Sequence, residues 1–262
     1  MPGSNAATRE QKAPTSKMPG LSKRIGLIGL AFLLGWYYPL RAVLTYFRPV
    51  PVNQKLTFVW SEKLLARIRV RLVELEGAPL LTDRRCLYFC PHRSFADLFL
   101  HKYITRGLGA TLSRAGMGVV FPMTWLTTRT DRSTWFFRRD KHRGVKAFYN
   151  WLDEQFDLCP LPGLIVYPEG HRHLDDKPLP LMGGMINYAY SRKLPVQIIS
   201  THRTERVVDE KHWDYQPGQT VHYRIEPPID PGAFDSRVEF RDHISDLFER
   251  AYAEVTVNPD LS

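Results

Sequence analysis

The chain of 262 residues has little cysteine, and Cys86, Cys90 and Cys159 are its only three. An odd number without metal-ligand spacing excludes a disulfide scaffold and supplies no zinc framework, so no metal is expected. Cys86 and Cys90 would share one face of a strand, which suits buried reduced thiols and a cytosol-facing domain. No internal repeat is present, which excludes solenoids and propellers. No nucleic-acid-binding motif is present either, and the basic residues behind the formal net charge of +9 are scattered. A nucleic-acid partner is therefore not expected, whereas anionic lipid or a phosphate-rich co-substrate suits such a surface. An unbroken apolar run of about 20 residues is also missing: the charge-free stretch Ile25 to Leu40 falls short of a bilayer span by roughly one turn.

What is there divides into three parts. Residues 1–24 are rich in Pro, Ser, Ala and Lys and read as a disordered basic tail. Residues 25–47 read as a membrane anchor, spanning or re-entrant, with Trp36, Tyr37 and Tyr38 at an interface and Lys23, Arg24 and Arg41 near head groups. A core helix is the alternative, and a cleaved signal peptide is disfavoured because no small-residue cleavage site is evident. Residues 48–262 are long enough for one α/β domain with a real core. Within it, Leu56, Val59, Trp60, Leu64 and Ile68 have helical spacing in a segment running to Leu72. Lys63, Arg67, Arg69 and Arg71 make that segment either a surface-lying membrane helix or one that packs on the domain. Strand-like runs follow at Cys86 to Cys90, Thr134 to Phe137, Leu164 to Tyr167, Val196 to Ser200 and Val221 to Ile225. Helical stripes stand between and after them: Val145, Phe148, Leu152, Phe156; Met185, Tyr188, Ala189; and Leu247, Phe248, Ala251, Tyr252. Alternating signals of this kind imply a sheet covered by helices.

Three motifs carry chemistry. The first follows the run ending at Cys90: Pro91-His92-Arg93-Ser94-Phe95-Ala96-Asp97, with four residues between histidine and aspartate at a strand-to-helix turn. Histidine titrates near neutrality, and an aspartate on its far nitrogen fixes the tautomer, so the pair can act as a general base. A helix-capping or core histidine is the alternative. His171 and Asp176 repeat the spacing, but in a polar loop. The second motif, Phe136-Phe137-Arg138-Arg139, brings arginine to a strand end. The third, Pro168-Glu169-Gly170-His171-Arg172, ends a strand with an acid, a glycine that lets a ligand approach, and a guanidinium suited to phosphate. Alone, it would read as a solvated turn.

In this order the three motifs resemble those of the glycerolipid acyltransferase family, the lysophosphatidate acyltransferases. The family's blocks are Asn-His-x-x-x-x-Asp, an apolar or aromatic stretch ending in arginine, Pro-Glu-Gly-Thr-Arg, and an apolar strand opening with proline. The last is similar to Leu194-Pro195-Val196-Gln197-Ile198-Ile199, and the resemblance covers about Leu80 to Ser200. Pro91 stands where the family has asparagine, His171 where it has threonine, and the fourth block lacks its second proline. The resemblance implies a mixed, largely parallel sheet covered by helices. It also implies transfer of a fatty acyl group from acyl-CoA to a lysophospholipid, most directly lysophosphatidate to phosphatidate, with acyl carrier protein an open alternative as donor. His92 would be the base, oriented by Asp97. Arg139 and Arg172 would hold the acceptor phosphate, and Glu169 and Gly170 would shape the site. Acyl-CoA would be a co-substrate and no cofactor is needed. The setting would be a membrane, the endoplasmic reticulum if the source is eukaryotic. A thioester hydrolase and a non-catalytic lipid binder are the rival readings.

Overall fold

The computed structural model describes residues 56–114, 132–137, 144–174, 177–209 and 214–257. The expected tail (1–24) and anchor (25–47), and Arg139 of the second motif, lie outside the described residues. In chain order the elements are α1 (Leu56–Ile68), β1 (Arg71–Glu74), β2 (Cys86–Phe89), α2 (Ala96–Ile104), β3 (Gly109–Arg114), β4 (Thr134–Phe137), α3 (Val145–Leu158) and β5 (Gly163–Val166). They continue with α4 (Gly183–Arg192), β6 (Val196–Thr201), α5 (Thr204–Val207), β7 (Val208–Asp209), β8 (Asp214–Tyr215), β9 (Thr220–Ile225), a 3₁₀ turn (Pro231–Ala233) and α6 (Arg237–Val257).

One seven-stranded sheet has the order β1-β9-β6-β2-β5-β3-β4. The pairings β6–β2, β2–β5, β5–β3 and β3–β4 are parallel; β9 runs antiparallel to β6, and β1 runs parallel to β9. The sheet is thus mixed and largely parallel, and β7–β8 form a separate ribbon. The central strands β2, β5 and β6 are buried along their whole length. Strands covered on both faces lose the polar alternation and become continuous apolar runs, which is how they read in the sequence.

The pleat sends alternate residues to opposite layers. Leu87, Phe89, Leu164, Val166, Val196 and Ile198 pack with Leu152 and Phe156 of α3, Ile186 and Ala189 of α4, and Phe240, Ile244 and Phe248 of α6. Cys86, Tyr88, Cys90, Ile165, Ile199 and Ile225 form a second cluster, joined by Ile104 of α2. Beside it, Leu64, Leu65 and Ile68 of α1 meet Ala96, Phe99 and Leu100 of α2 with Val207 and Val221. The segment beginning at Leu56 therefore packs on the domain, the second of its two expected placements. Its helix also ends earlier than expected. Arg69 turns left-handed (φ 55°), and Arg71 begins an edge strand. Val145, expected in the core stripe, opens α3 and is exposed, while Leu152 and Phe156 farther along are buried. All three cysteines are buried free thiols.

Two details set the register that matters for the site. A Cβ at Gly163 would come within 2.0 Å of the Tyr88 ring, so only glycine lets Tyr88 lie across β5. Gln197 lies within β6, in the block that lacks its second proline. Its amide donates to Pro79 O (3.0 Å) and Glu226 O (2.9 Å) and accepts from Leu81 N (2.8 Å), so this buried polar side chain is satisfied.

Candidate active site

Strands β2 and β5 are adjacent and parallel, so their carboxyl ends open on the same edge of the sheet. That edge is where open α/β sheets place reactive groups. The backbone stays paired to the end, Cys90 N donating to Val166 O at 2.9 Å. Beyond it the first and third motifs come face to face.

After Cys90 the chain turns through Pro91 and His92 into α2. Asp97 lies in the first turn of that helix and is fully buried. Its Oδ2 accepts from His92 Nδ1 (2.9 Å) and from the backbone N–H groups of Arg93 (2.6 Å) and Ser94 (2.9 Å). Among the described residues Oδ1 has no hydrogen-bond partner. Burial alone would push this carboxyl upward. The hydrogen bond with His92, the nearby His101 and His92 rings and the Thr204 hydroxyl outweigh it and hold the group below its ordinary value. Asp97 is thus an anion at neutral pH, and His92 shares its proton through Nδ1. His92 is about one-quarter exposed (24%), and among the described residues its Nε2 makes no hydrogen bond. This is the arrangement of an oriented imidazole with a free lone pair.

Two nearby nucleophile types are in use for structure. Ser94 Oγ accepts from Ala96 N (2.9 Å) and donates to Thr204 O (3.1 Å), which ties the start of α2 to the segment after β6. The Cys90 thiol is pushed well above its usual value, first by burial and then by Asp97.

The third motif forms the opposite wall. Tyr167 stacks on the His92 ring, with centroids 4.1 Å apart and planes 16° from parallel. Its hydroxyl is 3.3 Å from Nδ1 of His101, whose Nε2 is 3.2 Å from Thr201 Oγ1 at the end of β6. His101 is fully enclosed, and burial lowers it from 6.5 to about 4 against the pull of Asp97, so its ring is neutral. Glu169 is buried, and its Oε2 accepts from the main-chain N–H of His92 (2.9 Å). Its Oε1 meets His173 Nε2 (2.5 Å) and Leu179 N (3.1 Å). Gly170 adopts φ +79°, and a Cβ there would stand 2.4 Å from Met182 Sδ. Arg172 lies over the Phe95 ring, its guanidinium carbon 3.9 Å from the centroid, with Phe95 itself exposed.

Of the expected site residues, His92, Asp97, Glu169, Gly170 and Arg172 gather at one edge. Tyr167, His101, Thr201 and His173 were not expected there. The sequence carried a trace of two of them: Tyr167 is the residue that joins β5 to Pro168, and His101 stands four places after Asp97, on the same face of α2. Arg93 is a further cross-link, its Nε 2.8 Å from Glu205 and its Nη2 3.3 Å from Leu174 O.

No protein-family profile and no curated protein matches the chain. Solved structures do match. One is the 1-acyl-sn-glycerophosphate (LPA) acyltransferase PlsC from Thermotoga maritima, at a TM-score of 0.72 and 19% identity, over 89% of this chain and 95% of that one. The chain therefore has the fold of that acyltransferase.

Proposed function

We propose that this protein is an O-acyltransferase that moves a fatty acyl group from acyl-CoA to the free hydroxyl of a lysophospholipid, lysophosphatidate giving phosphatidate. The observation that carries the reading is the His92–Asp97 pair at 2.9 Å, with the far nitrogen of His92 open at the carboxyl edge of the sheet. Nε2 takes the acceptor's hydroxyl proton while that oxygen attacks the thioester carbonyl. The tetrahedral intermediate collapses as the C–S bond breaks, and the departing thiolate takes the proton back from the imidazolium. Asp97 holds the ring and offsets its transient charge. A direct transfer is favoured over an acyl-enzyme because the buried Ser94 Oγ is engaged by Ala96 N and Thr204 O and the Cys90 thiol is buried.

The acceptor phosphate would be held by Arg172 and Arg139. Arg172 stands beside the histidine loop, and its paired donors match phosphate. Gly170 keeps that approach narrow and free of a side chain. The lipid substrates favour a membrane setting, with residues 25–47 as anchor. Among the described residues no helix is long and apolar enough to cross a bilayer.

The test is thiol release from acyl-CoA by the full chain, with and without lysophosphatidate and over a series of lysolipids. Acceptor-dependent release supports the transferase. Release that ignores the acceptor would make the protein a thioester hydrolase, and no release would make it a lipid binder. Arg172→Ala should erase the preference for lysophosphatidate over an uncharged monoacylglycerol; an unchanged preference would remove Arg172 from the phosphate site.

A further inference from the structure

His173 has no role in the chemistry just described, yet it is tied to the backbone of His92 by two routes, one direct and one through Glu169. Its main-chain N–H donates to His92 O at 3.2 Å. Its side chain, only 7% exposed, places Nε2 2.5 Å from Glu169 Oε1, while the other oxygen of that carboxylate accepts the main-chain N–H of His92 at 2.9 Å. The three contacts close a ring: His92 N–H to Glu169, Glu169 to the His173 imidazole, and His173 N–H back to His92 C=O. Gly170, with φ +79°, folds the loop back so that residues four apart can both reach the main chain of the same residue. A carboxylate as buried as Glu169 needs its oxygens satisfied, and without the imidazole Oε1 would keep only Leu179 N.

We infer that His173 is a positioning residue for the transfer proposed above, an inference that rests on that reading: it fixes the main chain of His92 through Glu169, while Asp97 fixes the ring. Neither carboxylate suffices by itself. Asp97 restrains one ring nitrogen, and a ring held there still swings if the peptide that bears it shifts. A displacement of about 1 Å at a catalytic group costs on the order of 10²-fold in rate. Because the effect is on geometry rather than on substrate contact, it belongs to turnover and not to affinity.

The experiment compares full-length parent, His173→Ala and His173→Gln. Acyl transfer is followed by thiol release, and the His92 ring by NMR of ¹⁵N-histidine-labelled protein, its signal identified by its loss in His92→Ala. In His173→Ala, kcat should fall about 10–100-fold with both KM values within about twofold, and the His92 ring signal should shift or broaden. His173→Gln, whose amide donates at a similar reach, should return kcat to within about threefold of the parent and restore the signal. Parent-like kcat and ring signal in His173→Ala would overturn the inference. So would equal impairment of both variants with equally lowered melting temperature, since the residue would then merely fill space. Should His173→Ala not fold, His173→Leu, which keeps bulk but cannot donate, takes its place with the same outcomes. If the parent itself shows no acceptor-dependent release, the transferase reading fails on its own, and the ring signal decides alone: unchanged in the alanine variant it overturns the inference, shifted and then recovered with glutamine it supports it.

Discussion

The loop after β2 and the loop after β5 leave the same edge of the sheet from neighbouring parallel strands, and each holds a buried carboxylate. Asp97 gathers two backbone N–H groups and one imidazole on a single oxygen, and that imidazole, His92, keeps its far nitrogen open. Glu169 spreads its contacts over both oxygens, onto His92 N–H, His173 and Leu179 N. The first loop thus presents a reactive group, and the second braces the first. The difference lies in what the carboxylate holds. A side-chain nitrogen with a second face can do chemistry, whereas a main-chain amide can only be held in place.

The sharpest way to break this comparison is to remove the reactive group. His92→Ala should lower acceptor-dependent acyl transfer by about 10²–10⁴-fold, while the partly exposed ring leaves the melting temperature within about 3 °C of the parent. Transfer within a few-fold of the parent, assayed on purified protein, would remove the β2 loop from the chemistry. Glu169→Gln should behave differently. An amide on one side of Glu169 turns an acceptor toward donors into a donor toward donors, which should cost about 1–3 kcal/mol of stability in urea unfolding as well as rate. A variant with parental stability and lost rate alone would make Glu169 a chemical residue and erase the contrast.

Acid should expose the enclosed wall behind both loops. His101 titrates at about 4 when folded against an ordinary 6.5. Between those values the unfolded chain takes up a proton that the folded chain refuses. Its share of stability is therefore full above about pH 6.5 and is lost as pH falls toward 4, at most about 3 kcal/mol. Asp97, held below its ordinary value, adds a further loss only at still lower pH. Urea midpoints at pH 7 and pH 4.5 should separate less for His101→Gln than for the parent; equal separation would mean that His101 is not the acid-sensitive element. The smallest effect should come from Gly170→Ala, about 1 kcal/mol from the left-handed backbone, with Met182 crowding added. Pairing it with Met182→Ala should relieve the crowding alone. Full recovery in that double variant would show that the turn itself carries no strain.

Much of the fold could be read from the chain because its central strands are buried on both faces. CLYF, GLIV and VQIIS are apolar runs bounded by polar or turn residues, and they became β2, β5 and β6. The edge strand β1, at Arg71–Glu74, has no clear strand signal because half its residues face solvent and Arg71 and Leu72 continue the basic and apolar pattern of the preceding helix. Strand β3 escaped because GATLSR has neither a long apolar run nor clean alternation.

By itself the sequence determined the order of the motifs and the local turns. A histidine with an aspartate five residues beyond it at the start of a helix is a local arrangement, and an imidazole–carboxylate contact of that kind needs only the first turn of α2 to form. Which side chains meet it from elsewhere was decided by strand order. Placing β5 and β6 on either side of β2 brought Tyr167 onto the His92 ring, Glu169 under its peptide and Thr201 to His101, across separations of 75, 77 and 100 residues (92 to 167, 92 to 169, 101 to 201). Contacts over such distances follow from sheet topology and register, which depend on how whole layers bury their apolar faces rather than on the identity of any one residue.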